Sequence, residues 1–143
     1  MVVGLEASLR DVPPGFRVIR PVGAFARPGT LGTMQLEQLE IFTEMPFLMW
    51  AKDSEGRHLF GNKVICELAG EDVTGKTDYD LVWSDDAAAL QAHDRQVLDS
   101  GQTEYLHEHV QKSADGDATL NVVKWAGDLD GTPCTFGISF IVK

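Results

Sequence analysis

Cysteine is scarce in this chain of 143 residues: there are two, Cys66 and Cys134, in no CxxC or other ligand-like spacing. That argues against a disulfide framework or a thiolate metal site and points to two reduced, packed thiols. No apolar run approaches the roughly 20 residues that span a bilayer, and the N-terminus lacks the basic start, apolar block and cleavage site of a secretory signal. The expectation is a soluble, cytoplasmic protein with no membrane partner. Positive charge is also in short supply: 12 Lys and Arg stand against 22 Asp and Glu, a net charge of −10. The basic residues are scattered rather than gathered in a stripe, so nucleic acid is not an expected partner. There is no nucleophile elbow, phosphate loop or HExxH pattern, so no catalytic residue is assigned and an enzyme is not expected.

What is present suits one globular domain with an extension, with 43% hydrophobic and 24% charged residues. Residues 1–32 hold four of the six prolines (Pro13, Pro14, Pro21, Pro28) and read as an N-terminal tail or linker. The domain is expected over 33–143. Thr33 is a candidate N-cap for a helix over 34–45, which Pro46 ends. On that helix Glu37, Glu40 and Glu44 share one face, while Met34, Leu36, Leu39, Ile41, Phe42 and Met45 cover more than half the circumference. So wide an apolar arc suits a helix that covers a sheet on one side and meets a twin on the other. A homodimer interface through Met34, Leu39, Ile41, Phe42 and Met45 is therefore expected, the other reading being a helix that only caps its own core.

The apolar run 47–51, the turn residues Asp53, Ser54, Glu55 and Gly56, and a short second arm to Gly61 predict a β-hairpin. Asn62 then opens a helix that Gly70 stops. Residues 71–81 form a polar connector. Ser84 looks like the N-cap of a longer helix closed by Gly101, with a stripe of Leu90, His93, Val97 and Leu98 that turns the histidine toward the core. Three strands follow, over 103–110, 118–126 and 134–142, with an Asp-Gly turn before the last. In that last strand Cys134, Phe136, Ile138, Phe140 and Val142 alternate with Thr135, Gly137, Ser139 and Ile141, so one face is buried. The expected class is α+β: a five-stranded antiparallel sheet with helices inserted between strands 2 and 3, plus an N-terminal capping helix.

This order and its phrases resemble the PAS fold, in particular the bacterial sensory PAS domains of sensor kinases and related signalling proteins. The phrases are MPFLMWAKDSEGR at the hairpin, GNKVICELAG at the next helix, GKTDYDL in the connector, AHDRQVLDSGQ across the long helix and GISF in the last strand. Together they cover about residues 45 to 142. The resemblance implies a sensory, non-catalytic domain that binds a small molecule or a partner and relays the signal through dimer or terminal-helix rearrangement. The chain ends in SFIVK, without the Asp-Ile-Thr-like step that couples many such domains to an output. It is thus expected to be a piece of a larger receptor or a lone domain acting on partner proteins in trans.

The family's usual ligand pocket implies walls at Met49 and Ala51, at Leu90, His93 and Val97, at Val122 and Lys124, and at Phe136, Ile138 and Phe140. Lys124 interrupts an apolar alternation; a carboxylate ligand would explain it, and so would a side chain that snorkels outward. No cofactor is assigned, but haem is an alternative, because haem-binding PAS gas or redox sensors take their iron ligand from a His-Asp setting that His93-Asp94 resembles. A ligand-free dimerisation module is the other alternative. His107 and His109 share a strand face and would supply two metal ligands but not a third, so no metal site is assigned. The flavin type of light sensor needs a cysteine in the connector helix, which residues 76–81 lack, and the coumarate type needs one in the later connector, where there is none.

Overall fold

The computed structural model describes residues 33–142, so the expected tail over 1–32 lies outside the described residues. The first hairpin forms where its turn chemistry places it, with strands β2 (Leu48–Asp53) and β3 (His58–Gly61). Asp53 Oδ1 accepts the backbone N–H groups of Glu55 and Arg57 at 2.9 Å each, and Gly56 takes the positive φ of 81° that closes the turn.

Asn62 caps helix α2 (Lys63–Ala69) and Gly70 ends it with a left-handed φ of 75°. The Asn62 side chain is fully buried. Its Oδ1 accepts from Met49 N and Ile65 N, and its Nδ2 donates to the carbonyls of Phe42 (3.0 Å) and Phe47 (2.7 Å). One amide thereby joins β2, α2 and the segment before β2. A short 3-10 turn over Ser84–Asp86 leads into α3 (Ala87–Ser100), which Gly101 closes. Strands β4 (Glu104–Val110), β5 (Ala118–Leu129) and β6 (Thr132–Val142) complete the fold. Asp130 and Gly131, with φ of 51° and 85°, form a two-residue turn between the pair Leu129 and Thr132, so the turn is tighter and the strands longer than the sequence suggests.

The sheet runs β4-β5-β6-β2-β3, every one of these neighbours antiparallel. A sixth, two-residue strand, β1 (Thr33–Met34), lies parallel to the end of β5. Helices α2 and α3 and the connector cover one face of the sheet, enclosing Leu48, Trp50, Leu68, Trp83, Leu90 and Leu120. The opposite face packs Met49, Ala51, Cys134 and Phe136 against Leu39, Phe42 and Phe47 from the N-terminal segment.

That segment differs from the expected helix over 34–45. Thr33 and Met34 pair with Asp128 and Leu129, and Asp130 fixes the next turn by giving its N–H to Met34 O and accepting Leu36 N on its carboxylate. With those backbone groups committed to the sheet edge, the N-cap falls on Gln35 rather than Thr33, and only α1 (Leu36–Leu39) and a 3-10 turn (Glu40–Phe42) follow. Of the expected interface residues, Leu39 is fully buried in its own core and Met34 and Phe42 are half-buried beside it, whereas Ile41 and Met45 are exposed. Cys66 and Cys134 are unpaired, and burial pushes the Cys134 thiol up to about 11.

Candidate ligand cavity and buried ion network

Side chains alternate across a strand, so the register decides which residues reach the interior between sheet and helices. From β2 these are Leu48, Trp50 and Lys52; from β5, Leu120, Val122 and Lys124; from β4, Glu108 and Val110. From β6 they are Thr135, Gly137 and Ser139, the residues paired with Lys52, Trp50 and Leu48. Small residues there make room for Trp50: a Cβ on Gly137 would lie 2.2 Å from its Cζ2.

Five charges are buried in this interior. Lys52 Nζ donates to Asp78 Oδ2 at 2.7 Å and to Asp94 Oδ2 at 2.9 Å. Lys124 Nζ lies 2.9 Å from Asp94 Oδ1 and 2.6 Å from Glu108 Oε1. Trp83 Nε1 donates to Asp78 Oδ1 at 3.0 Å, and Thr135 Oγ1 to the Asp94 carbonyl at 3.3 Å. Asp94 is the bridge, tying α3 to β2 and β5 at once. Burial on its own would pull the Lys52 ammonium down; Asp78 and then Asp94 outweigh it and hold it above the usual lysine range. Burial would likewise raise the Asp94 carboxyl, but Lys52 and Lys124 together hold it below the usual value. Such pairs cost several kcal/mol per ion to desolvate and are strongly destabilising when one partner is removed.

His58 stands beside this network. Its Nδ1 lies 2.7 Å from the carbonyl of Lys76, an acceptor only, so Nδ1 carries the proton. Burial, then the charge of Lys52, lower its pKa to about 4, so the ring is neutral at pH 7. Its Nε2 is therefore a bare acceptor, buried and without a partner among the described residues; Trp50 Nε1 is a buried donor in the same condition. Both residues line an interior cavity of about 40 Å³, together with Lys52, Leu90, Glu108 and Lys124.

The residues expected to form one pocket are divided by the sheet. Leu90 and Lys124 line the cavity, while Val122 and Val97 are buried on the same side without lining it. Met49, Ala51, Phe136 and Ile138 lie on the opposite face, in the core with Leu39. Phe140 is on that opposite side too, exposed, its ring 5.8 Å from that of Phe47. The alternation in β6 is real, but its apolar half faces the N-terminal segment and not the helices.

On α3 it is Asp94 that is buried, at 4% exposure. His93 is not a cavity wall: 43% of its side chain is exposed, and its Nδ1 meets Glu108 Oε1 at 3.2 Å from the outer side. A haem does not fit this arrangement, since the candidate iron ligand is turned away from the interior and the cavity of about 40 Å³ there is far too small for a porphyrin. Lys124 is 1% exposed and does not snorkel; the carboxylates that explain it belong to the chain itself. His107 and His109 are exposed, and among the described residues no group of three His, Cys, Asp or Glu side chains is placed to hold a metal.

Sequence reasoning missed Lys52, His58, Asp78, Asp94 and Glu108. The one available signal was the spacing Leu48, Trp50, Lys52, the same two-residue step as Leu120, Val122, Lys124.

A family model for the PAS fold matches residues 42–134, and the chain belongs to this family. The PAS fold is a sensory, regulatory module and not a catalytic one. Among solved structures, the Vibrio cholerae VqmA dimer without its target DNA is similar at 22% identity and a TM-score of 0.64, covering 77% of this chain and 52% of VqmA. VqmA bound to DPO is similar at 23% identity and the same TM-score, covering 75% of this chain and 57% of that one. The PAS domain of an HTR-like protein from Haloarcula marismortui has 18% identity and a TM-score of 0.59, covering 74% of this chain and 89% of that domain. This chain thus spans about half the length of VqmA. No relative was found among curated proteins.

Proposed function

We propose that the chain is the sensory domain of a bacterial signalling protein, such as a sensor kinase, and that a small molecule occupies the cavity between α3 and the sheet. The observation that carries this reading is the pair of buried polar atoms without a partner among the described residues, His58 Nε2 and Trp50 Nε1, on two residues that line one cavity. Buried polar groups are rarely left unpaired, and where they are, a ligand or water is the usual explanation. VqmA, a protein of the same fold, is bound to DPO in one of its structures. Binding would move α3 through Asp94, which both lysines hold, and the ends of the domain at β1 and β6 would pass the shift on. VqmA has a target DNA, but the net charge of −10 leads us to place no nucleic-acid contact on this segment. Among the described residues no helix is long and apolar enough to cross a membrane, and the two unpaired thiols fit a cytoplasmic setting. Native mass spectrometry of freshly purified protein tests the reading. A mass excess that denaturation removes, and that Leu90→Trp abolishes by filling the cavity, is the expected result; a bare chain in every preparation counts against a tightly held ligand.

A second reading, a homodimer, rests on the outer side of the domain, where Ile41, Met45, Tyr105 and Phe140 are exposed. Large apolar side chains grouped on one side mark interaction surfaces. Replacing Ile41 and Phe140 by Glu should halve the mass in solution while leaving the fold intact; an unchanged mass removes the dimer.

A further inference from the structure

The chemistry of the cavity narrows what it would take, given that it is the ligand site proposed above. Lys124 in an apolar strand suggests an anionic ligand, but that demand is already met. Two buried ammonium groups face three buried carboxylates, Asp78, Asp94 and Glu108, so the cluster is short of positive charge rather than rich in it. A further carboxylate would meet like charge in a medium of low dielectric and would have to give up its water as well. Among the residues that line the cavity, the groups left unpaired are of another kind. His58 offers a lone pair at Nε2, because Nδ1 is committed to the Lys76 carbonyl, and Trp50 offers an N–H. Both residues are at least nine-tenths buried. The volume of about 40 Å³ has room for roughly three waters at about 10–15 Å³ each, or for one molecule of similar bulk.

We propose that the cavity selects a small uncharged molecule carrying both a hydrogen-bond donor, for His58 Nε2, and an acceptor, for Trp50 Nε1, and that it rejects carboxylates. Three probes of one shape separate the possibilities: acetamide has donor and acceptor, acetone has the acceptor alone, and acetate has acceptors and a negative charge. Each is titrated into the full chain while the indole N–H signal of Trp50, assigned with Trp50→Phe, is followed by nitrogen-edited NMR. Acetamide should shift that signal saturably. Acetone should bind at least about tenfold more weakly, because it leaves the buried His58 acceptor unpaired. Acetate should shift the signal no more than chloride does. Acetate binding as tightly as acetamide, or acetone matching it, overturns the selectivity while leaving the cavity a ligand site. No response to any of the three overturns the selectivity and the ligand-site reading together.

Discussion

Replacing Asp94 by Asn keeps the size of the side chain and removes one charge from the centre of the domain. Asp94 is 4% exposed and is the carboxylate that both lysines share, at 2.9 Å from each. Lys52 would keep Asp78 and Lys124 would keep Glu108, so neither ammonium is stranded, and the cost should fall at the low end of the roughly 3–5 kcal/mol that follows loss of a buried ionic partner. About 3 kcal/mol corresponds to a fall in Tm on the order of 10 °C for a domain of this size. His93→Asn is the control one residue away. That side chain is 43% exposed and meets Glu108 only at its outer side, so its loss should cost less than about 1 kcal/mol. Urea unfolding followed by tryptophan fluorescence, with thermal unfolding by circular dichroism, measures both variants. Equal losses, or a larger loss for His93→Asn, would refute the orientation of α3 on which the site depends.

Acid should weaken the fold through His58. Its folded pKa of about 4 lies below the usual 6.5, so the unfolded chain binds the proton more tightly. Stability is then full above pH 6.5 and is lost as pH falls toward 4, by about 2 kcal/mol between pH 7.5 and 5. His58→Gln should flatten that slope in urea titrations at the two pH values; an unchanged slope would contradict a buried neutral imidazole. Asp94, held below the usual carboxylate range, adds a further loss as pH falls from that range toward its own lowered pKa. Gly137→Ala should cost roughly 1–3 kcal/mol by overpacking, since the new methyl would press on the Trp50 ring; a neutral Gly137→Ala in thermal unfolding would mean that Trp50 does not lie over β6.

Much of the fold was legible because its punctuation is local. Asn62 and Gly70 bracket α2, Gly101 ends α3, and Asp130-Gly131 turns β5 into β6, each through the conformational freedom or capping chemistry of one or two residues. The start of the domain was not, because the pairing of Thr33 and Met34 with residues almost a hundred positions away has no local trace. The site was hidden for two further reasons. In β2, Leu48 to Lys52 are all buried, because this strand is covered on both faces, so no alternation tells inward from outward. On α3 the buried face is Ala87, Leu90, Asp94 and Val97, and a pattern that seeks apolar residues passes over the aspartate in favour of the neighbouring histidine. The partners that make a buried Asp94 tolerable, Lys52 and Lys124, lie far from it in sequence.

Half of the pair on which the ligand reading stands is one imidazole: neutral, protonated at Nδ1 toward Lys76, with Nε2 buried and unpaired on a residue that lines the cavity. Long-range proton–nitrogen NMR of the His58 ring across pH 7.5 to 3.5 measures this directly. The account predicts a protonated Nδ1 and a bare Nε2 that persist down to a midpoint near pH 4. A midpoint near 6.5, or a proton on Nε2 at neutral pH, would contradict it.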